Sequence, residues 1–82
     1  MPEYIFSKHA SEMMMERKIS EDWIWRALND AEKAYAGEDG NLHFIKAIPE
    51  RENRALHVVV NPVVSPKRIV TLFFDRRLRS KT

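Results

Sequence analysis

The sequence predicts an α+β domain in which an N-terminal strand and two helices pack on one face of a three- or four-stranded antiparallel sheet. Apolar residues recur at helical spacing in the first third of the chain and alternate with polar residues in the second half. At 82 residues, 44% of them hydrophobic, the chain suits one small core. We therefore expect a single domain over residues 1–82.

A short strand and a helix are predicted at the start of the chain. Residues 4–6 are aromatic and β-branched, as in a strand, and Ser7 suits a helix N-cap. The helix is predicted over residues 8–17, with Met13 and Met14 on its core-facing side. The first strand therefore leads directly into the first helix.

A second helix is predicted after Ser20, which can cap its free amide groups, and is expected to end near Ala31. Two acidic residues follow Ser20 and favour the positive end of the helix dipole. Trp23 lies on the apolar stripe and is expected to anchor the core. Trp25 lies off the stripe, so it is either an exposed contact or a rim residue packed on the first helix.

The second half of the chain predicts a meander of strands. Residues 37–41 contain both glycines of the chain and predict a tight hairpin after residues 33–36. The strands that follow are predicted over residues 42–48, 55–61 and 68–76.

Period-two alternation sorts these strands into two faces. The apolar face, which the helices should cover, consists of Leu42, Phe44, Ile48, Leu56, Val58, Val60, Val70, Leu72 and Phe74. The mixed face consists of His43, Ile45, Ala47, His57, Val59, Asn61, Ile69, Thr71, Phe73, Asp75 and Arg77. Reactive side chains are therefore expected on the face that the helices leave bare.

The charge of the chain is unevenly distributed. Residues 1–41 carry a net charge of −4 and residues 42–82 a net charge of +6, which together give +2. Clustered Lys and Arg attract polyanions, so the basic half suits RNA or an acidic protein. The alternative is a solvated charged surface without a partner.

Composition excludes several classes of protein and site. No apolar run approaches the roughly 20 residues of a membrane-spanning helix, and the start lacks the stretches of a secretory signal. The absence of cysteine excludes disulfides and fits a reducing cytoplasm. We therefore expect a soluble cytoplasmic protein with no membrane partner. The two glycines are too few for a phosphate-binding loop or a dinucleotide-binding motif. The three histidines lack the spacing of metal ligands. No metal or other cofactor is therefore expected.

The mixed face suits metal-independent cleavage of RNA. The ribose 2′-hydroxyl is an internal nucleophile, so the protein must supply only a base, an acid and cations. His43 or His57 is the candidate base, and Arg77 is the candidate catalytic cation. The alternative is a structural polar face on which His57 pairs with Asp75.

Other side chains are candidates for RNA binding. Guanidinium groups bind phosphate bidentately, and aromatic rings stack on bases. The candidate contacts on these grounds are Arg54, Arg76, Arg79 and Phe73, with Tyr35 as a second choice for stacking.

Short motifs along the chain carry a family resemblance. They are HASE at residues 9–12, ERKIS at 16–20, DG at 39–40, LHF at 42–44, LHVV at 56–59 and IVTL at 69–72. The sequence thus resembles a bacterial family of unknown function with an N-terminal HA…ERxIS pattern. Where that family often has an arginine four residues after the histidine, this chain has Met13.

This family is itself similar to the RelE/BrnT-like toxin superfamily, in which two N-terminal helices pack on one face of an antiparallel sheet. The resemblance implies an mRNA interferase of a type II toxin–antitoxin system, with an antitoxin protein over the basic face. One alternative is a non-catalytic module that binds RNA or an acidic protein through its basic tail, residues 76–81. Another is a homodimer paired through an exposed sheet edge.

Overall fold

A computed structural model describes residues 3–75 and confirms the α+β class. The elements in chain order are β1 (Tyr4–Phe6), α1 (Lys8–Glu16), α2 (Glu21–Asn29), β2 (Lys33–Ala36), β3 (Leu42–Ile48), a short 3-10 helix (Pro49–Arg51), β4 (Arg54–Asn61) and β5 (Lys67–Asp75). Neither α-helix in this part of the chain has the length and hydropathy needed to cross a membrane.

The strands form one five-stranded sheet in the order β1-β5-β4-β3-β2. Four strands form the predicted antiparallel meander, and β1 pairs parallel to β5, with Ile5 opposite Arg68. The prediction of an antiparallel meander is therefore confirmed, but the sheet has five strands because β1, which was expected to pack with the helices, joins its edge. A three-residue strand does not reveal in its sequence which partner it will pair with.

Serine side chains cap both helices, as predicted. The Ser7 hydroxyl accepts a hydrogen bond from the Ala10 amide at 3.0 Å, and the Ser20 hydroxyl accepts one from the Asp22 amide at 3.2 Å. Helix α2 ends at Asn29 rather than near Ala31. The cause is β3, because the Glu32 amide already donates to the Ile45 carbonyl at 2.8 Å.

Both helices cover the same face of the sheet. The fully or nearly fully buried residues of this core are Ala10, Ile19, Ile24, Ala27, Leu28, Ile48, Leu56, Val58, Val60, Ile69 and Leu72. Ile69 takes the core position predicted for Val70. A β-bulge explains this change, because Val59 pairs with Thr71 and Val60 with Ile69, which leaves Val70 as the extra residue.

The two tryptophans pack at opposite ends of the core. Trp23 is half-buried against Phe74, with ring centroids 6.3 Å apart. Trp25 is half-buried against β1, 6.1 Å from the Tyr4 ring and 5.9 Å from the Phe6 ring. Both therefore flank the core, and Trp23 is not its fully buried anchor.

Truncation of a side chain in the central strand should destabilise the fold strongly. Leu56 is 0% exposed, so Leu56→Ala should lower the free energy of unfolding by about 2–5 kcal/mol through lost burial and a cavity. The measurement is urea unfolding monitored by circular dichroism. Val63→Ala is the matched control: Val63 is 85% exposed, and its truncation should change stability by less than about 0.5 kcal/mol. Equal effects of the two substitutions would contradict the assigned core.

Candidate functional site

A row of four rings crosses the sheet on the face opposite the helices. It consists of Tyr35 on β2, His43 on β3, His57 on β4 and Phe73 on β5. The Tyr35 and His43 rings stack almost in parallel, at 4.9 Å and 4°, and the His57 and Phe73 rings stack at 4.9 Å and 28°. The two histidine rings meet edge to face at 5.1 Å. We call these four side chains the ring row.

The two histidines at the centre of the ring row are hydrogen-bonded to each other. His43 Nδ1 and His57 Nε2 lie 2.9 Å apart. The residue directly opposite His57 is Ile45, so the two histidines are diagonal neighbours across β3 and β4. One nitrogen must carry the proton and the other must accept it, so the rings share one proton.

A carboxylate lies at each end of the histidine pair. Asp39 Oδ1 is 3.5 Å from His43 Nε2, and Asp75 Oδ2 is 3.7 Å from His57 Nδ1. Ionised carboxylates only accept hydrogen bonds, so each outer ring nitrogen faces an acceptor. Both carboxylate contacts are longer than the 2.9 Å bond between the two rings.

Exposure along the ring row is uneven. His57 and Asp75 are buried, with 6% and 7% of their surfaces exposed, whereas Tyr35 is 47% exposed. The His43 side chain is 15% exposed. The helices leave this face of β4 uncovered, as predicted, but its own side chains bury His57, and His43 is the more exposed of the two histidines.

The hairpin turn between β2 and β3 holds Asp39 beside His43. The Asp39 carboxylate accepts hydrogen bonds from the Asn41 backbone amide at 3.0 Å and from its side-chain amide at 3.2 Å. The Asn41 backbone bond, followed by the His43 contact, lowers the pKa of Asp39 below its ordinary value. Asp39 is therefore an anion held in place by its own turn.

Gly37 lets this turn approach the ring of His43. A Cβ atom at this position would lie 2.5 Å from His43 Nε2 and 2.7 Å from Asp39 Oδ1. A Cβ at Gly40 would meet nothing within 4 Å, so space is not the reason for glycine there. The reason is its φ of +83°, a backbone conformation that other residues rarely adopt. One glycine thus provides space and the other provides backbone conformation.

A family model described as Domain of unknown function (DUF4258) matches residues 6–74 of the chain. The chain belongs to this family. The matched residues run from the last residue of β1 almost to the end of β5 and contain both histidines of the ring row. Comparison with curated proteins and with solved structures gave no match. The predicted family of unknown function is thus confirmed for this DUF4258 domain.

The predicted site residues are only partly brought together in the DUF4258 domain. His43, His57 and Phe73 lie in the ring row. Arg54 does not join them: it is paired with the buried Ile48 on the helix-facing side of β4 and lies 3.8 Å from Glu52. The predicted cations Arg76, Arg77 and Arg79 lie outside the described residues.

Sequence reasoning missed Asp39 as a member of this site. It assigned the Asp-Gly pair to a turn, and the missing signal was the hairpin register, which places Tyr35 opposite His43. Within residues 3–75, no three His, Cys, Asp or Glu side chains are grouped so that they could hold a metal ion. The site thus brings together two hydrogen-bonded imidazoles, a carboxylate at each end and two further rings.

Alanine substitutions at the two glycines should distinguish the steric requirement at Gly37 from the backbone requirement at Gly40. Gly37→Ala should displace the His43 ring and change the imidazole NMR signals of both His43 and His57, because the new Cβ overlaps His43 Nε2. Gly40→Ala should leave those signals in place and lower the free energy of unfolding by roughly 1–2 kcal/mol, the cost of a left-handed alanine. Unchanged imidazole signals in Gly37→Ala would contradict the close approach.

The lowered pKa of Asp39 predicts a pH dependence of stability. A carboxyl group whose pKa is lowered by folding stabilises the fold above its unfolded pKa, near 3.8, and this stabilisation is lost as the pH falls through the folded value. Asp39→Asn should therefore lose less stability than the parent between about pH 5 and pH 2 in urea unfolding. Glu38→Gln, the same charge change at the neighbouring exposed residue, is the control. A parent-like pH dependence in Asp39→Asn would refute the assignment.

Proposed function

We propose that this DUF4258 domain is a metal-independent ribonuclease in which the histidine pair transfers protons. The observation that carries the proposal is the 2.9 Å hydrogen bond between His43 Nδ1 and His57 Nε2 on the face opposite the helices. Two imidazoles that share a proton provide both a proton acceptor and a proton donor. RNA cleavage through the 2′-hydroxyl requires one group of each kind.

The proposed reaction balances without another reactant. His43 Nε2 takes the proton of the ribose 2′-hydroxyl, the 2′-oxygen attacks the adjacent phosphorus, and the bond from phosphorus to the 5′-oxygen breaks. The protonated pair then gives a proton to the 5′-oxygen. The products are a 2′,3′-cyclic phosphate and a free 5′-hydroxyl. The carboxylate of Asp75, 3.7 Å from His57 Nδ1, stabilises the positive charge that the pair carries between these transfers.

The proposed cations for the phosphate are one described lysine and three arginines that follow β5 in the sequence. Lys33 is exposed and lies on the same face of β2 as Tyr35, two residues away. Arg76 and Arg77 follow Asp75 directly in the sequence, and Arg79 comes two residues later. Guanidinium groups stabilise the charge that develops on the phosphate oxygens, so Arg77 is kept as the proposed catalytic cation.

The likeness to RelE/BrnT-like toxins supplies the biological setting of the proposal. A bacterial mRNA interferase of this type would act in the cytoplasm as the toxin of a type II toxin–antitoxin pair, with an antitoxin protein on its basic surface. The helix and sheet layers of the DUF4258 domain are compatible with that superfold, with β1 as an added parallel strand.

Burial favours a second candidate function, a non-catalytic RNA- or protein-binding module. His57 and Asp75 are 6% and 7% exposed, and a buried, charge-paired histidine can simply hold strands together. The basic residues would then bind a polyanion without chemistry.

Cleavage of a defined RNA by variants of the histidine pair distinguishes the two candidates. His43→Ala and His57→Ala should each lower the cleavage rate about 10²- to 10⁴-fold, the usual contribution of a general acid or base. His9→Ala is the matched control: His9 is exposed on α1, 3.1 Å from Thr71 Oγ1, and is not part of the ring row. Circular dichroism verifies the fold, and 2′-deoxy substitution at the scissile nucleotide should stop cleavage.

Two results would overturn the ribonuclease. Cleavage that is unchanged in folded His43→Ala and His57→Ala would remove the histidine pair from the chemistry. RNA binding that weakens steeply with salt, with no cleavage of any RNA by the parent, would favour the non-catalytic module.

A further inference from the structure

We propose that the outward face of the Tyr35 ring is a stacking site for one base of single-stranded RNA. The choice of RNA as the ligand rests on the proposed function, and the stacking site deepens it by naming the contact that brings a nucleotide to the histidine pair. Sequence reasoning gave this role first to Phe73, whose ring is instead stacked on His57.

The Tyr35 ring is the open end of the ring row. Its centroid lies 4.9 Å from that of His43, with 4° between the planes, and this separation is close to the strand spacing of about 4.8 Å. The rings therefore stack in the direction that runs from strand to strand. Since β2 is the last strand of the sheet, the far face of the Tyr35 ring points to the position that a further ring would occupy.

The ring is both held and accessible. Parallel contact with His43 restricts its orientation, and Tyr35 is still 47% exposed. All residues of β2 are exposed, so a flat ligand can reach this edge. An aromatic side chain that is already oriented loses little conformational entropy when a base stacks on it.

One cation, Lys33, lies on the same face of β2 as Tyr35, where its ammonium group can meet a backbone phosphate. The adjoining turn carries the acidic Glu38 and Asp39, so the stacked ring, and not the net charge of this edge, is the basis for the nucleotide contact. A base stacked on the outward face of Tyr35 lies one ring removed from His43, whose Nε2 is the proposed base.

The test uses a short single-stranded 2′-O-methyl RNA, which cannot be cleaved because its nucleophile is blocked. Fluorescence anisotropy gives its dissociation constant for the parent, Tyr35→Phe and Tyr35→Thr. Tyr35→Phe keeps the ring and should bind within about two-fold of the parent, whereas Tyr35→Thr keeps a strand-forming residue and should bind about ten-fold more weakly. Equal binding by all three proteins, or no binding by the parent, would overturn the stacking site.

A second measurement needs no variant. Adenosine 5′-monophosphate should shift the NMR signals of the Tyr35 ring in the parent protein, whereas ribose 5-phosphate, which lacks the base, should not. Equal shifts with both compounds would assign the contact to phosphate and overturn the stacking site.

Sedimentation of the parent and of Tyr35→Thr tests a second copy as the occupant. A parent dimer that dissociates on this substitution would make Tyr35 a dimer contact instead.

The outcomes separate this inference from the ribonuclease proposal. Tyr35-dependent binding of the 2′-O-methyl RNA without cleavage of ordinary RNA would leave the stacking site and remove the ribonuclease. If cleavage depends on His43 but binding is unaffected by Tyr35→Thr, the ribonuclease proposal is supported and the stacking site is overturned.

Discussion

The pairing of β4 with both of its neighbours is the constraint on which the rest of the domain depends. Strand β4 lies in the middle of the sheet, and residues 55–60 are buried without interruption. Its even-numbered residues, such as Leu56 and Val58, fill the core beneath the helices. The same register sets His57 opposite Phe73 on β5 and diagonal to His43 on β3. A slip of one residue would exchange these two sets and destroy the core and the histidine pair together.

A histidine on a buried central strand requires polar partners, since an unsatisfied imidazole there would be destabilising. His57 has them on both sides, with His43 at 2.9 Å and Asp75 at 3.7 Å. These partners come from β3 and β5, the two strands that flank β4, so the polar contacts form only when all three strands are in register. The site and the specificity of strand pairing therefore depend on the same few atoms.

Much of this arrangement could be predicted from the sequence. Alternation gave β3 its observed limits, Leu42–Ile48, and placed His43 and His57 on one face, because period two assigns sides without knowledge of partners. Contacts between strands were harder to predict. Three features depend on which residues of neighbouring strands pair with each other. They are the bulge that brings Ile69 into the core, the parallel pairing of β1, and the position of Arg54 on the helix-facing side. Asp39 was missed because its partner, His43, is reached only once the hairpin has closed.

Ser7 joins the two ends of the described chain. Its amide donates to the Ile69 carbonyl at 3.0 Å, and its hydroxyl donates to the Val70 carbonyl at 2.9 Å while capping the first helix. A contact across 63 positions closes a long loop, and the entropy lost in that closure is recovered only when most other contacts exist. The segment that contains β1 and Ser7 is therefore among the last parts of the described chain to dock, because its partner strand β5 must already be in place.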